Sequence, residues 1–118
     1  MTLLLIGALT WYAGPYVGQP LRCGDVYDTS HEWIAIDIDA LPGWECGDLV
    51  RVAVGDDVRL WRIRDSGPLS RYGILDGDTM IPIVADIPYH QWEWDGLSVL
   101  GQVENVTAGL RAEMEQYR

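Results

Sequence analysis

The clearest pattern in the chain is a pair of alternating apolar and polar runs joined by a Gly-Asp-Asp turn. In Leu49–Val54 three valines share one face, and Arg51 lies on the other. In Val58–Arg64 the alternation continues, with Trp61 on the face opposite Leu60. Because successive side chains of a strand point to opposite faces of a sheet, this pattern predicts an antiparallel hairpin with one buried face.

Other apolar or alternating runs predict further short strands, separated by long connections. The predicted strands are Leu3–Tyr12, Trp33–Ile38, Ile81–Ile87 and Leu97–Val106. Two segments rich in Gly, Pro, Asp and Ser, 13–32 and 66–80, predict long loops. Thr107–Tyr117 has helical periodicity and predicts a short C-terminal helix. Short strands with long connections are typical of a small closed barrel, so we expect a mostly β fold.

The length of 118 residues predicts one domain, spanning 1–118, with a real hydrophobic core. No apolar run approaches the ~20 residues that a membrane-spanning helix needs, so we expect no membrane span. The apolar start suggests a signal peptide, but it has no basic residue, and cleavage near Ala8 or Ala13 would cut the first predicted strand. We therefore favour a structural strand there. On that view the chain is a piece of a larger protein, or it leaves the cell another way, for example on a phage particle.

The net charge of −10 makes nucleic acid an unfavourable partner, because an acidic surface repels phosphate backbones. All eight basic residues are arginine, and no basic amphipathic stretch is present that would bind a membrane surface. We expect neither kind of partner.

Four short motifs follow one another in a recognisable order. They are Leu9–Gly14 (LTWYAG), Leu21–Asp28 (LRCGDVYD), Cys46–Val52 (CGDLVRV) and Arg62–Pro68 (RIRDSGP). Their order resembles that of the double-psi β-barrel domains of the rare lipoprotein A and expansin-like (barwin-like) families, over about Leu9 to Val106. Asp48 and Ser66 replace the Thr and Arg of the family pattern. The resemblance implies a six-stranded double-psi β-barrel with long loops and a function directed at peptidoglycan or another glycan.

Two aspartates are the candidate acids. Asp65 ends a predicted strand before a Gly-Pro turn, which puts a carboxylate at the rim of a sheet, although Asp-Ser-Gly-Pro is also an ordinary turn. Asp86 lies in a segment similar to the family's second acidic strand. In the lytic transglycosylases of this group the two strands run side by side and their acids line one groove. Such a lyase needs one carboxylic acid of raised pKa to protonate the glycosidic oxygen and then to accept the proton of the sugar's 6-hydroxyl.

Two departures from the family pattern concern this groove. Asp37 stands where the family has histidine, and a carboxylate there would raise the pKa of a neighbouring acid, if close. Either acid function persists, with Asp37 as a third catalytic residue, or the site no longer catalyses. His31 could replace the missing histidine or be solvated surface. The 66–80 segment is an insertion between the two acids.

The two cysteines, Cys23 and Cys46, leave two interpretations. Neither His31 nor His90 lies at a metal-site spacing from them, so we expect no metal and no cofactor. The resemblance implies that the cysteines are paired in a disulfide, and the alternative is two buried free thiols.

Aromatic residues are candidates for sugar binding. Trp11, Tyr12, Trp92 and Trp94 could stack on sugar faces, or they could fill the core of a chain that has no Phe. Arg64 could orient Asp65 and contact substrate, or it could belong to a surface salt bridge.

Two functional hypotheses follow from these residues. The first is a peptidoglycan- or polysaccharide-directed domain, extracytoplasmic, either a lytic transglycosylase-like glycan lyase or a non-catalytic wall-binding module. The second is a non-catalytic structural module, for example of a phage particle, that binds other protein subunits and retains only the barrel. The acid pair and the cysteines favour the first, and the Asp37 departure and the insertion favour the second.

Overall fold

The computed structural model describes residues 2–12, 18–27, 32–88 and 90–117, which form a closed β-barrel of six strands with one extra strand and a C-terminal helix. The elements are β1 (Leu4–Tyr12), β2 (Trp33–Ala35), β3 (Leu49–Val54), β4 (Asp57–Asp65), β5 (Gly73–Asp76), β6 (Thr79–Pro88), β7 (Ser98–Asn105) and α1 (Val106–Glu115). Two short 3₁₀-helices, Ile38–Ala40 and Leu69–Arg71, lie in the connections. The prediction of a mostly β barrel with a short C-terminal helix is confirmed.

The barrel closes through β1. Its strands run in the order β1-β7-β3-β4-β2-β6, and β6 returns to pair with β1 in parallel. A second parallel pairing joins β2 to β4, and the other pairings of the barrel are antiparallel. At the β1–β6 crossing the backbones come so close that a Cβ on Gly7 would lie 2.5 Å from the Pro82 carbonyl oxygen, so only glycine fits there. The double-psi connectivity stays a prediction from the family resemblance.

The alternating faces predicted for the central hairpin are confirmed. Val50 and Val52 are fully buried whereas Arg51 between them is exposed. On the partner strand Trp61 is buried and Leu60 is exposed. The inward-facing side chains form one core inside the barrel, which includes Leu9, Ile34, Val50, Val52, Trp61, Ile63, Ile87 and Val103.

The prediction of a loop over 66–80 is wrong. This segment contains the helix Leu69–Arg71 and strand β5, which pairs antiparallel with the start of β6. The prediction assigned its glycines to a loop, but they allow the tight hairpin between β5 and β6. Gly77 has φ +60°, as the tight turn requires, and a Cβ on Gly73 would lie 2.6 Å from the Met80 sulfur.

Strand β2 is shorter than predicted, ending at Ala35 rather than Ile38. Beyond Ala35 the Ile36 N–H donates to the Asp65 carbonyl oxygen at 3.2 Å, and the chain then turns into the helix Ile38–Ala40. The shortening leaves Asp37 outside the sheet, at the end of the barrel where β4 also ends.

Helix α1 continues directly from β7. The Asn105 side chain caps it by accepting a hydrogen bond from the Ala108 N–H at 2.8 Å, and the Thr107 hydroxyl accepts one from the Leu49 N–H. Within the described part of the chain no helix is long and apolar enough to cross a membrane.

A disulfide joins Cys23 to Cys46, as the resemblance implied. It links the segment 18–27 to the turn before β3, across 23 positions of sequence. Closing a loop of that length stabilises the folded state by about 3 kcal/mol, largely through the entropy of the unfolded chain.

Candidate functional site

The two candidate acids flank one residue of the short strand β2. Ala35 pairs with Asp65 of β4 on one side and with Asp86 of β6 on the other. The family resemblance implied that the two acidic strands are direct neighbours, and this is corrected because β2 lies between them. Two strand spacings separate the Asp65 and Asp86 backbones by roughly 10 Å. The carboxylates are close enough for the charge of Asp65 to raise the pKa of Asp86.

Asp86 is a half-buried carboxyl held by one hydroxyl. The Thr10 Oγ donates to its Oδ1 at 3.0 Å, from the neighbouring strand β1. Burial raises the pKa of Asp86 from 3.8 to about 6, against the hydrogen bonds from Thr10 and from the Ile87 N–H. Within the described residues no cation pairs with this carboxyl. Asp86 can therefore exchange a proton near neutral pH, which general acid–base chemistry requires.

Asp65 is positioned by the backbone of the 18–27 segment. Its Oδ1 accepts a hydrogen bond from the Arg22 N–H at 2.9 Å. The next residue, Cys23, donates its N–H to the Arg64 carbonyl oxygen at 3.2 Å and is tied by the disulfide. The disulfide thus fixes the backbone that binds Asp65.

Asp37 holds the inserted segment. Its side chain is only 9% exposed, and its Oδ2 accepts hydrogen bonds from the Ser70 N–H at 3.1 Å and the Ser70 hydroxyl at 2.5 Å. The carboxylate whose charge adds to the raised pKa of Asp86 is that of Asp65. Asp37 therefore connects the end of β2 to the helix Leu69–Arg71. His31, the proposed substitute for the family histidine, lies outside the described residues.

The candidate tryptophans Trp11, Trp92 and Trp94 form one cluster rather than separate platforms. Trp11 and Trp94 stack at 4.4 Å between ring centroids, and the Trp11 indole N–H donates to the Trp92 carbonyl oxygen at 3.1 Å. Trp92 is only 8% exposed and packs edge-on against Trp61 at 5.6 Å. Of the two interpretations, burial supports a core role for Trp92. Trp11 and Trp94 are half-buried, and the Tyr12 side chain lies outside the described part.

Arg64 forms an ion pair with Asp25 at 2.6 Å. Both side chains are partly exposed, so this pair contributes at most about 1 kcal/mol to stability. The geometry supports the surface salt bridge over a direct role in binding substrate.

Sequence reasoning missed two residues that position the site. Thr10 contacts Asp86, and its only signal was its place beside Trp11 in the first motif. Gln91 is buried, and its amide bonds both the N–H and the carbonyl of Trp33 at 2.7 Å, fixing the segment after β6 against β2. A lone glutamine carries no sequence signal for such a contact.

In the described part of the chain no three His, Cys, Asp or Glu side chains converge on a point where a metal ion could bind. The two candidate acids are both partly buried and lie at or near the ends of β4 and β6, and the charge of Asp65 adds to the raised pKa of Asp86.

Comparison with protein-family models gives no match for this chain, and comparison with curated proteins gives none either.

Proposed function

We propose that the chain is a glycan-directed domain acting on peptidoglycan or a similar polysaccharide outside the cytoplasm, with Asp86 as its general acid and base. The observation that carries the proposal is the Asp86 carboxyl, whose pKa is about 6 and which lies across Ala35 from Asp65. A carboxyl that keeps its proton to near-neutral pH can protonate a leaving oxygen.

The proposed reaction is that of a lytic transglycosylase. Protonated Asp86 gives its proton to the glycosidic oxygen as the bond from that oxygen to the sugar's C1 breaks. The Asp86 carboxylate then accepts the proton of the 6-hydroxyl of the same sugar, whose oxygen bonds to C1. The products are a shortened glycan and a 1,6-anhydro sugar, and no water is consumed. Burial keeps the pKa of Asp86 raised, the charge of Asp65 adds to this effect, and Asp65 stabilises positive charge that develops on the sugar.

The test is to incubate the purified protein with intact peptidoglycan sacculi and to detect anhydro-muropeptides by mass spectrometry. We expect release by the wild type and a loss of at least about 100-fold in Asp86→Asn, the size typical of removing a general acid. Asp56→Asn, in the exposed turn between β3 and β4, is the matched control and should remain active. Activity should fall as the pH rises above about 6, since Asp86 then loses its proton.

Two other results would change the assignment. Binding to sacculi without release of products would leave a wall-binding module. If the protein neither binds sacculi nor releases products from them, the glycan hypothesis is overturned.

One observation favours the structural module as a second candidate. The outer face of β1, β7 and β4 carries exposed apolar side chains, among them Ile6, Leu60 and Leu100. Ile6 and Leu100, together with the exposed Val58 of β4, line a groove of about 670 Å³ on the outside of the barrel. Clustered apolar residues on a surface are typical of protein contacts. A module of this kind predicts self-association or subunit binding that Ile6→Asp abolishes, with sacculi left intact.

A further inference from the structure

We propose that a polar cleft beside Asp65 is a subsite for a carboxylate carried by the glycan, with Arg71 as the residue that binds it. This inference rests on the proposed function and names the feature of the substrate that the protein recognises. The cleft has a volume of about 380 Å³ and is lined by Arg22, Asp37, Asp39, Ser66, Ser70 and Arg71 among others.

Two residues that line the cleft, Arg22 and Ser66, adjoin Asp65. Arg22 lines the cleft with its side chain and donates its backbone N–H to the Asp65 carboxylate at 2.9 Å. Ser66 follows Asp65 in the chain, and its hydroxyl accepts a hydrogen bond from the Ile38 N–H at 3.1 Å. A sugar bound at Asp65 would therefore have its substituents beside this cleft.

The other charges of the cleft are already engaged. Arg22 forms a two-pronged pair with Asp39, at 2.5 and 2.7 Å. Asp37 accepts both hydrogen bonds of Ser70. A ligand entering the cleft would have to break these contacts to use those groups.

Arg71 is the exception. Five arginines of the described part have polar partners for their side chains: Arg22, Arg59, Arg62, Arg64 and Arg111. Within the same residues the guanidinium groups of Arg51 and Arg71 have none, and only Arg71 lines this cleft. In a chain of net charge −10, an arginine left without an acidic partner beside a candidate site is available for an anionic ligand.

The backbone that carries Arg71 is fixed on both sides. Ser70 is bound to Asp37, and the Tyr72 carbonyl oxygen accepts a hydrogen bond from the Ile83 N–H of β6 at 3.2 Å. Arg71 itself donates its N–H to the Pro68 carbonyl oxygen at 3.1 Å. Asp37 and the inserted segment thus act together, since the carboxylate positions the helix from which Arg71 projects. A fixed backbone lowers the entropy cost of binding.

A carboxylate is the ligand group that fits best. The planar guanidinium binds carboxylates through two parallel hydrogen bonds, and the Ser66 hydroxyl in the cleft can donate to an ether or amide oxygen. The lactyl group of N-acetylmuramic acid combines an ether and a carboxylate on a sugar. The cleft therefore predicts a preference for glycans with a free lactyl carboxylate over neutral glycans of equal length.

The experiment measures binding by calorimetry with two tetrasaccharides of alternating N-acetylglucosamine and N-acetylmuramic acid. One has free lactyl carboxylates, and in the other they are converted to methylamides. All proteins carry Asp86→Asn, so that the glycan is not consumed. We expect a roughly tenfold preference for the free carboxylate, lost in Arg71→Ala and partly kept in Arg71→Lys. Arg51→Ala, which removes the other unpartnered arginine, should keep the full preference.

The outcomes separate the two proposals. Equal binding of both glycans by the protein with Arg71 intact, or a preference that survives in Arg71→Ala, overturns the carboxylate subsite and leaves the glycan function standing. Binding of neither glycan overturns both. Circular dichroism checks the folding of each variant, and because the Arg71 side chain is exposed and has no partner among the described residues, its removal should not alter the fold.

Discussion

Two aspartates of this small barrel are shielded from solvent, but their pKa values are shifted in opposite directions. Asp48, at the start of β3, is 3% exposed and accepts hydrogen bonds from Arg111, Asn105 and the Glu45 N–H. Burial would raise the pKa of Asp48, but these donors together lower it below 3.8. Asp86 is less buried, yet burial raises its pKa to about 6, because its donors, a hydroxyl and a backbone N–H, offset that effect only in part.

The two aspartates differ because an arginine, Arg111, lies beside Asp48 but no cation of the described residues pairs with Asp86. A buried carboxylate with an arginine stays ionised and ties elements together, here α1 to the turn before β3. A carboxylate without one is destabilised in its charged form and becomes able to exchange protons at physiological pH. Burial alone does not identify a candidate catalytic acid, whereas burial without a compensating charge does.

The largest effect on stability is expected from removing the cation beside Asp48, which is Arg111. Arg111→Ala leaves Asp48 buried without its charge partner, and the free energy of unfolding at pH 7 should fall by about 2 kcal/mol, discounted from the cost at a fully buried site because Arg111 is partly exposed. Urea unfolding measures it. In the wild type the lowered pKa of Asp48 gives stability that is complete above about pH 4 and is lost as the pH falls through the folded-state pKa.

Arg111→Lys serves as the control, since it keeps the charge and should lose less stability than Arg111→Ala. A change below about 0.5 kcal/mol in Arg111→Ala would show that Asn105 and the Glu45 N–H compensate Asp48 without the arginine.

Removing Asp86, the acid without a cation, should raise the free energy of unfolding rather than lower it. The unfolded chain releases the Asp86 proton near pH 3.8, and the folded protein holds it to about pH 6. The raised pKa therefore lowers the free energy of unfolding as the pH rises through this window. Asp86→Asn should be more stable than the wild type by about 2 kcal/mol at pH 7, with the gain disappearing below pH 4. Thermal unfolding at both pH values measures it, and a gain of equal size at both would contradict the explanation.

The smallest effect concerns the hydroxyl that holds Asp86. The Thr10 hydrogen bond lowers the pKa of Asp86, so Thr10→Val should raise it further, by less than about one unit. Titration of the Asp86 carboxyl by NMR measures the change directly. Thr10→Ser keeps the hydroxyl and should titrate like the wild type. A lowered value in Thr10→Val would mean that the hydroxyl favours the neutral acid.

The fold was more predictable than the site, for physical reasons. The faces of the β3–β4 hairpin followed from period-two alternation, because one face is buried and the other is solvated. Strand β5 was missed because Gly73 and Gly77, which permit the hairpin, have the composition of a loop. Asp65 was proposed from its place at a strand end and Asp86 from the family resemblance. Which of them has the raised pKa depends on burial and on Thr10, 76 positions away from Asp86 in sequence.

The disulfide links the position of Asp65 to the redox state of the two cysteines. The Arg22 N–H that binds Asp65 belongs to the segment that Cys23 anchors, so the disulfide supports this contact. In a reducing compartment that segment loses its covalent anchor and the entropy of its free movement opposes the Arg22–Asp65 contact. Where the thiols are oxidised, the disulfide holds the Arg22 N–H beside the Asp65 carboxylate and removes most of that entropy cost.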